Sequence, residues 1–164
     1  MVLAPKNFRD EEFIEPEKIF EENGVKVTVS SKGQTLAYGM LGAKVNIDKD
    51  ITQVNVSDYD AIVFVGGGGA SAYFNDKQAL KIAVDSMKQG KLTAAICIAP
   101  SILANAGVLK GRKATSYPSE KNNLSSKGAI YLQQNVVEDG LIVTAVGPQA
   151  AAEFGKLIVR KLLA

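Results

Sequence analysis

No histidine occurs anywhere in the 164 residues. That absence removes every Ser–His–Asp and Cys–His catalytic pair, and every histidine metal site. Cysteine occurs once, at Cys97, so neither an intramolecular disulfide nor a cysteine-cluster zinc site can form. Charge of one sign is also scarce: 19 basic against 17 acidic residues leave +2. That balance argues against nucleic acid as the main partner. No apolar run approaches the roughly 18 residues of a membrane span, and the start lacks a signal-peptide pattern. The expectation is a protein of a reducing, cytoplasmic compartment, without metal, cofactor, membrane or nucleic acid.

What is present is a core-forming composition. Hydrophobic residues make up 46% and charged residues 22%, enough for one core and too little for two comfortable ones. A single domain over 1–164 is expected. After the short apolar start Met1–Ala4, Asp10 reads as the cap of a helix that stops at Asn23-Gly24. Val25–Ser30 alternates β-branched residues and reads as a strand. The excursion Gly33–Asp50 carries Leu36, Tyr38, Val45 and Ile47 and reads as small extra strands. Ala61–Val65 and Leu92–Ile96 are continuous apolar runs, the pattern of strands covered on both faces.

Lys77–Gln89 has helical spacing, and Pro100 suits the first turn of another helix. Asp139-Gly140 lies between two strand-like runs and signals a hairpin. Gln149–Leu163 closes the chain as an amphipathic helix. Strands alternating with helices through short connections imply an α/β sandwich around a mostly parallel sheet.

In such sheets ligands gather at the carboxyl ends of the strands, and two segments stand out there. Gly67, Gly69 and Ala72 formally fit a dinucleotide-binding spacing, but the acid at the right distance, Asp85, falls inside a helical segment. No Gly-Lys-Ser/Thr follows, so a P-loop is rejected. Two readings remain: a tight strand-to-loop turn, or a glycine amide aimed at an oxyanion. The second segment, Ala95-Ile96-Cys97-Ile98-Ala99-Pro100, ends a strand in a thiol with small neighbours and a following helix. That is the pattern of a nucleophile elbow, although free cysteine is also among the most buried residue types.

Without histidine, a partner for Cys97 must be Glu, Asp, Tyr or Lys. Glu12 is one of seven acids between Asp10 and Glu22, a run that by itself reads as a solvated face. Pro16 distinguishes it, because the carbonyl of Glu12 loses its helical hydrogen bond there. Tyr117, after Lys113-Ala114, lies at another strand end and by itself reads as a packing residue with a wet hydroxyl.

Together these features resemble the ThiJ/PfpI superfamily, which holds the PfpI intracellular proteases and a Parkinson-linked redox chaperone branch. The likeness runs from Phe8-Arg9-Asp10-Glu11-Glu12 with Pro16, through Gly24–Val29, Asp60–Gly67 and Ala95-Ile96-Cys97. It continues through Gly107–Lys113, Thr115–Pro118 and Asp139–Thr144. The resemblance implies a flavodoxin-like three-layer sandwich with Cys97 on the elbow and Glu12 beside its sulfur. It implies that the amides of Gly67 and Ile98 form an oxyanion hole. It also implies a protonated Glu12, a depressed Cys97 pKa and oxidation to sulfenic and then sulfinic acid.

Four departures separate this chain from its relatives. Ile98 stands where the PfpI proteases have histidine. Tyr117 follows the PfpI pattern rather than the chaperone branch. Val65-Gly66-Gly67 replaces Pro-Gly-Gly, and Val146-Gly147-Pro148 replaces Arg-Gly-Pro. The first strand is also a few residues shorter.

The leading expectation is a cysteine-centred stress or redox protein that acts on small reactive aldehydes, glyoxalase- or deglycase-like. Cys97 and Glu12 would carry the chemistry, with Tyr117 as a helper. A PfpI-type peptidase or amidase is the alternative, and a non-catalytic member a third. Peptide cleavage must protonate a poor amine leaving group, which histidine normally does, and removing that base and acid costs on the order of 100-fold or more. Relatives assemble into dimers or larger rings, so a homo-oligomer is expected.

Overall fold

A strand with no polar face must be covered twice, and this chain covers two such strands with helices on both sides. The computed structural model describes residues 1–164. In chain order, β1 (Lys6–Phe8) leads into α1 (Asp10–Glu22). Four short strands follow, β2 (Ser30–Ser31), β3 (Leu36–Gly39), β4 (Lys44–Asn46) and β5 (Lys49–Asp50). Then come β6 (Ala61–Phe64), α2 (Lys77–Lys88), β7 (Leu92–Ile96) and α3 (Pro100–Asn105). The last third holds β8 (Lys113–Ala114), α4 (Lys121–Ser126), β9 (Ile130–Tyr131), β10 (Val136–Asp139), β11 (Ile142–Ala145) and α5 (Ala151–Leu162).

The central sheet runs β10-β11-β7-β6, with only β10 antiparallel. Beyond β6 the row continues through Val2, which bridges Phe64 on one side and Ser30 on the other. There β2 pairs with β5 in parallel. Alternation sorts the side chains between two layers. Ile62, Phe64 and Ala95 meet Ile82, Ile102 and Leu103 of α2 and α3. Val63, Ala94 and Ile96 meet Phe20, Phe154 and Ile158 of α1 and α5. The result is the expected flavodoxin-like α/β sandwich with a mostly parallel sheet. No helix is long and apolar enough to cross a membrane.

The Gly33–Asp50 excursion does form extra strands. In a small sheet, β3 pairs in parallel with β1 and antiparallel with β4, over a third cluster that includes Leu3, Phe8, Phe13 and Val65.

Three local expectations are corrected. Asp10 does not cap α1: Arg9 occupies the cap position, and the Asp10 carboxylate accepts from the amides of Leu41 (3.0 Å) and Ala43 (2.8 Å). Those two free amides at a hairpin tip need an acceptor more than the helix does. Val25–Ser30 is a strand only at Ser30, because the amides of Lys26, Val27 and Thr28 find no acceptor on a neighbouring segment. The last helix begins at Ala151 rather than Gln149, since Pro148–Ala150 makes a tighter 3₁₀ turn first.

Candidate active site

Three chain segments converge at the carboxyl end of β7. Leu92–Ile96 is wholly buried, and the chain leaves it at Cys97 with φ +64°. A residue with a Cβ in this left-handed region costs on the order of 1–3 kcal/mol unless its surroundings hold it there. Here the Cys97 amide donates to the Ala145 carbonyl of β11 at 2.9 Å. Its carbonyl accepts from the Tyr117 amide at 2.8 Å. Held from both sides, the sharp turn lifts the sulfur out of the strand row, and Cys97 stays only 8% exposed. The elbow and core readings of Cys97 therefore merge: it is a buried thiol on a strained turn.

The glycine segment after β6 forms the opposite wall. Gly66 is where the three parts meet. A Cβ on it would strike Glu12 Oε2, the Ile96 carbonyl oxygen (2.5 Å) and Cys97 Cβ (2.6 Å). Gly67 takes φ +98° and lies against the backbone of Asn7, Phe8 and Arg9. The Arg9 amide donates to the Gly66 carbonyl at 3.0 Å, tying the entry of α1 to this turn. Asn7 is itself left-handed, at φ +61°, so both non-glycine residues with positive φ border the site. The segment is a tight turn and also presents the Gly67 amide to the sulfur, as does the Ile98 amide after the elbow. After Gly67 the chain makes a 3₁₀ turn over Gly68–Tyr73. Asp85 lies on α2 beside Lys81, far from a ribose-binding role.

The first turn of α1 separates the acids. Glu11 points outward and pairs with Arg9 at 2.8 Å, whereas Glu12 is fully buried. Both Glu12 oxygens lack a partner with hydrogen-bond geometry, although the Cys97 thiol and the Gly66 amide are close enough to favour its anion. Burial outweighs them and pushes the Glu12 carboxyl up to about 7. Burial and then the Glu12 charge push the Cys97 thiol up to about 12, against the opposing pull of the Gly67 and Ile98 amides. The depressed cysteine pKa expected from the resemblance is corrected on this point. Two amides and a six-residue helix, α3, do not offset desolvation beside a second acid.

Tyr117 is placed differently. Its amide bonds the Cys97 carbonyl, but its side chain is 46% exposed and its hydroxyl makes no hydrogen bond within the chain. Gly66 and Gln149 escaped the sequence reading. Gly66 was legible only as a member of the Val65-Gly66-Gly67 turn, with no role at the site attached to it. Gln149 approaches Tyr117 across Gly147, whose Cβ position lies 3.1 Å from Gln149 Oε1 and 3.7 Å from Tyr117 Cδ2. No sequence spacing links those two residues. No group of three His, Cys, Asp or Glu side chains gathers as a metal cage.

The sequence pattern of the DJ-1/PfpI family matches residues 1–161. The chain belongs to the DJ-1/PfpI family. It is 44% identical to the uncharacterized protein MJ0967 of Methanocaldococcus jannaschii, across 99% of this chain and 80% of that one. It is 35% identical to a deglycase of Pyrococcus abyssi, across 90% and 89% of the two chains. Among solved structures, a ThiJ/PfpI domain protein from Brachyspira murdochii superposes with a TM-score of 0.97 at 35% identity, covering 99% of this chain and 94% of that one.

Proposed function

We propose that this DJ-1/PfpI protein is a stress-responsive, deglycase-like enzyme in which Cys97 adds to small reactive aldehydes and Glu12 manages the proton. The observation that carries the reading is a buried, unpartnered carboxyl beside the only thiol, with its pKa pushed up to about 7. A group titrating near neutrality can both accept and return a proton. Ionised Glu12 takes the Cys97 proton as sulfur forms a bond to the carbonyl carbon and the carbonyl π pair moves to oxygen. The Gly67 and Ile98 amides face the developing oxyanion, and Glu12 returns the proton to give a neutral hemithioacetal. Thiol and general base act together, so no preformed thiolate is required. Peroxide follows the same route: one oxygen transfers to sulfur while the proton leaves, giving sulfenic acid and water.

Tyr117, half-exposed at the rim, orients the substrate in this reading. The likeness to a P. abyssi deglycase supports the aldehyde class. Peptide cleavage is disfavoured, because Glu12 is the sole buried acid at the sulfur and no imidazole protonates an amine leaving group.

The test is consumption of methylglyoxal by the purified protein. It should rise with pH through about 7 and then level off, as Glu12 loses its proton. Both Cys97→Ser and Glu12→Gln should lower the rate by at least about 100-fold. Full activity in Glu12→Gln, or peptidase activity lost in Cys97→Ser, would overturn the assignment.

A further inference from the structure

Ser101, in the first turn of α3, is fully buried, and a buried hydroxyl is costly unless it is bonded. Its Oγ donates to Glu120 Oε1 at 2.7 Å and accepts from Asn123 Nδ2 at 3.0 Å. Asn123 Nδ2 also donates to Asn105 Oδ1 at 3.0 Å, and Asn105 Nδ2 donates to the Phe74 carbonyl at 2.8 Å. Ser119 Oγ donates to the second carboxylate oxygen, Glu120 Oε2, at 2.7 Å. A carboxylate can only accept, so it fixes the direction of the Ser101 bond. Hydrogen bonds to a carboxylate are also roughly twice as strong as those between neutral groups.

Ser101 lies four residues after Cys97, and Glu120 three after Tyr117. The Tyr117 amide already bonds the Cys97 carbonyl at 2.8 Å, so Ser101–Glu120 is a second rung between the same two segments. The rungs close a ring, with Ile98–Pro100 along one side and Pro118–Ser119 along the other. Inside it lies Ile98, whose amide is one of the two that face the sulfur. Upstream of Tyr117 the loop has other holds. The Thr115 amide donates to Thr144 Oγ1 and the Tyr131 hydroxyl to the Ser116 carbonyl, both at 2.9 Å. Downstream, the backbone of Pro118–Glu120 bonds only within its own turn, which leaves the Glu120 carboxylate to tie that turn to α3. We propose that Glu120 is a positioning residue for the chemistry at Cys97. Its bond to Ser101 holds Tyr117 at the rim and keeps the Ile98 amide on the oxyanion. The proposal rests on the roles given above to Cys97, Ile98 and Tyr117, and Glu120 acts through the ring rather than on the substrate.

The test compares Glu120→Ala and Glu120→Gln with the unaltered full chain. Glu120→Ala should speed hydrogen exchange at the Tyr117 amide about tenfold or more, while the separately held Thr115 amide stays unmoved. Its consumption of methylglyoxal should fall about tenfold, less than outright loss of an oxyanion donor costs. The fall should lie chiefly in kcat, because the Ile98 amide meets a charge that develops only in the transition state. Glu120→Gln should recover most of both effects, since a carboxamide oxygen still accepts from Ser101. Unchanged Tyr117 exchange in Glu120→Ala would overturn the clamp, whatever the protein does to methylglyoxal. Faster Tyr117 exchange with kcat unchanged would overturn its link to the chemistry, as would equal acceleration at Thr115. An unaltered chain inert toward methylglyoxal, with faster Tyr117 exchange in Glu120→Ala, would overturn the reading of Cys97 and support the clamp.

Discussion

At the scale of single residues, Glu12 opposes stability and chemistry. Its carboxyl moves from 4.5 to about 7 on folding, a gap that corresponds to roughly 3 kcal/mol. The raised value means the folded state binds the proton more tightly than the unfolded state does. Stability is therefore fully present below pH 4.5 and falls as pH rises toward 7, after which the loss is complete. Glu12→Gln should raise the unfolding free energy by about 3 kcal/mol at pH 8 and by almost nothing at pH 4. Denaturant melts at the two pH values check this, and an equal effect at both would contradict the buried-charge account.

Gly66 makes a second residue-scale prediction. A methyl there meets two groups that cannot yield, the Ile96 carbonyl and Cys97 Cβ. Gly66→Ala should cost on the order of 1–3 kcal/mol and disturb the site together with the fold, measured by Tm and by alkylation of Cys97.

At the scale of elements, Asp10 shows how α1 organises more than its own helix. Its buried carboxylate holds the β3–β4 tip through the Leu41 and Ala43 amides. Asp10→Ala should cost on the order of 2 kcal/mol. Amide exchange at Leu41 and Ala43 should accelerate far more than exchange within β7, and uniform acceleration would argue against a local clamp. The same tip leaves Leu41 63% and Met40 47% exposed. If the homo-oligomer expected from the resemblance forms through this tip, a charge there disrupts it. Leu41→Asp should lower the mass found by light scattering, and an unchanged mass would place any self-association elsewhere.

At the scale of the whole molecule, the site depends on contacts between distant parts of the chain. Tyr73 is buried, donates to the Leu3 carbonyl at 3.0 Å and accepts from the Lys32 amide at 3.1 Å. It joins the turn after Gly67 to the sheet edge and to β2. Tyr73→Phe leaves two backbone groups without their partner and should cost about 1–3 kcal/mol. Thermal melts would register this as a lower Tm with the site chemistry retained.

Sequence by itself determined the α/β class. Continuous apolar runs at Ala61–Val65 and Leu92–Ile96, separated by the helical period of Lys77–Gln89, leave few other ways to bury so much apolar surface. It also determined that any chemistry at Cys97 proceeds without imidazole, because a missing residue type cannot be supplied by folding. Glu12 was legible only through its spacing to Pro16 and the family resemblance, since seven acids in one short stretch look alike until one is turned inward. Val25–Ser30 was misread as a continuous strand because propensity says nothing about whether a neighbouring edge exists. The protonation of the site was decided by tertiary structure alone. Local motifs suggested a depressed thiol pKa. Packing α1 against the elbow removed water from both acids at once, and desolvation prevailed over the nearby amides.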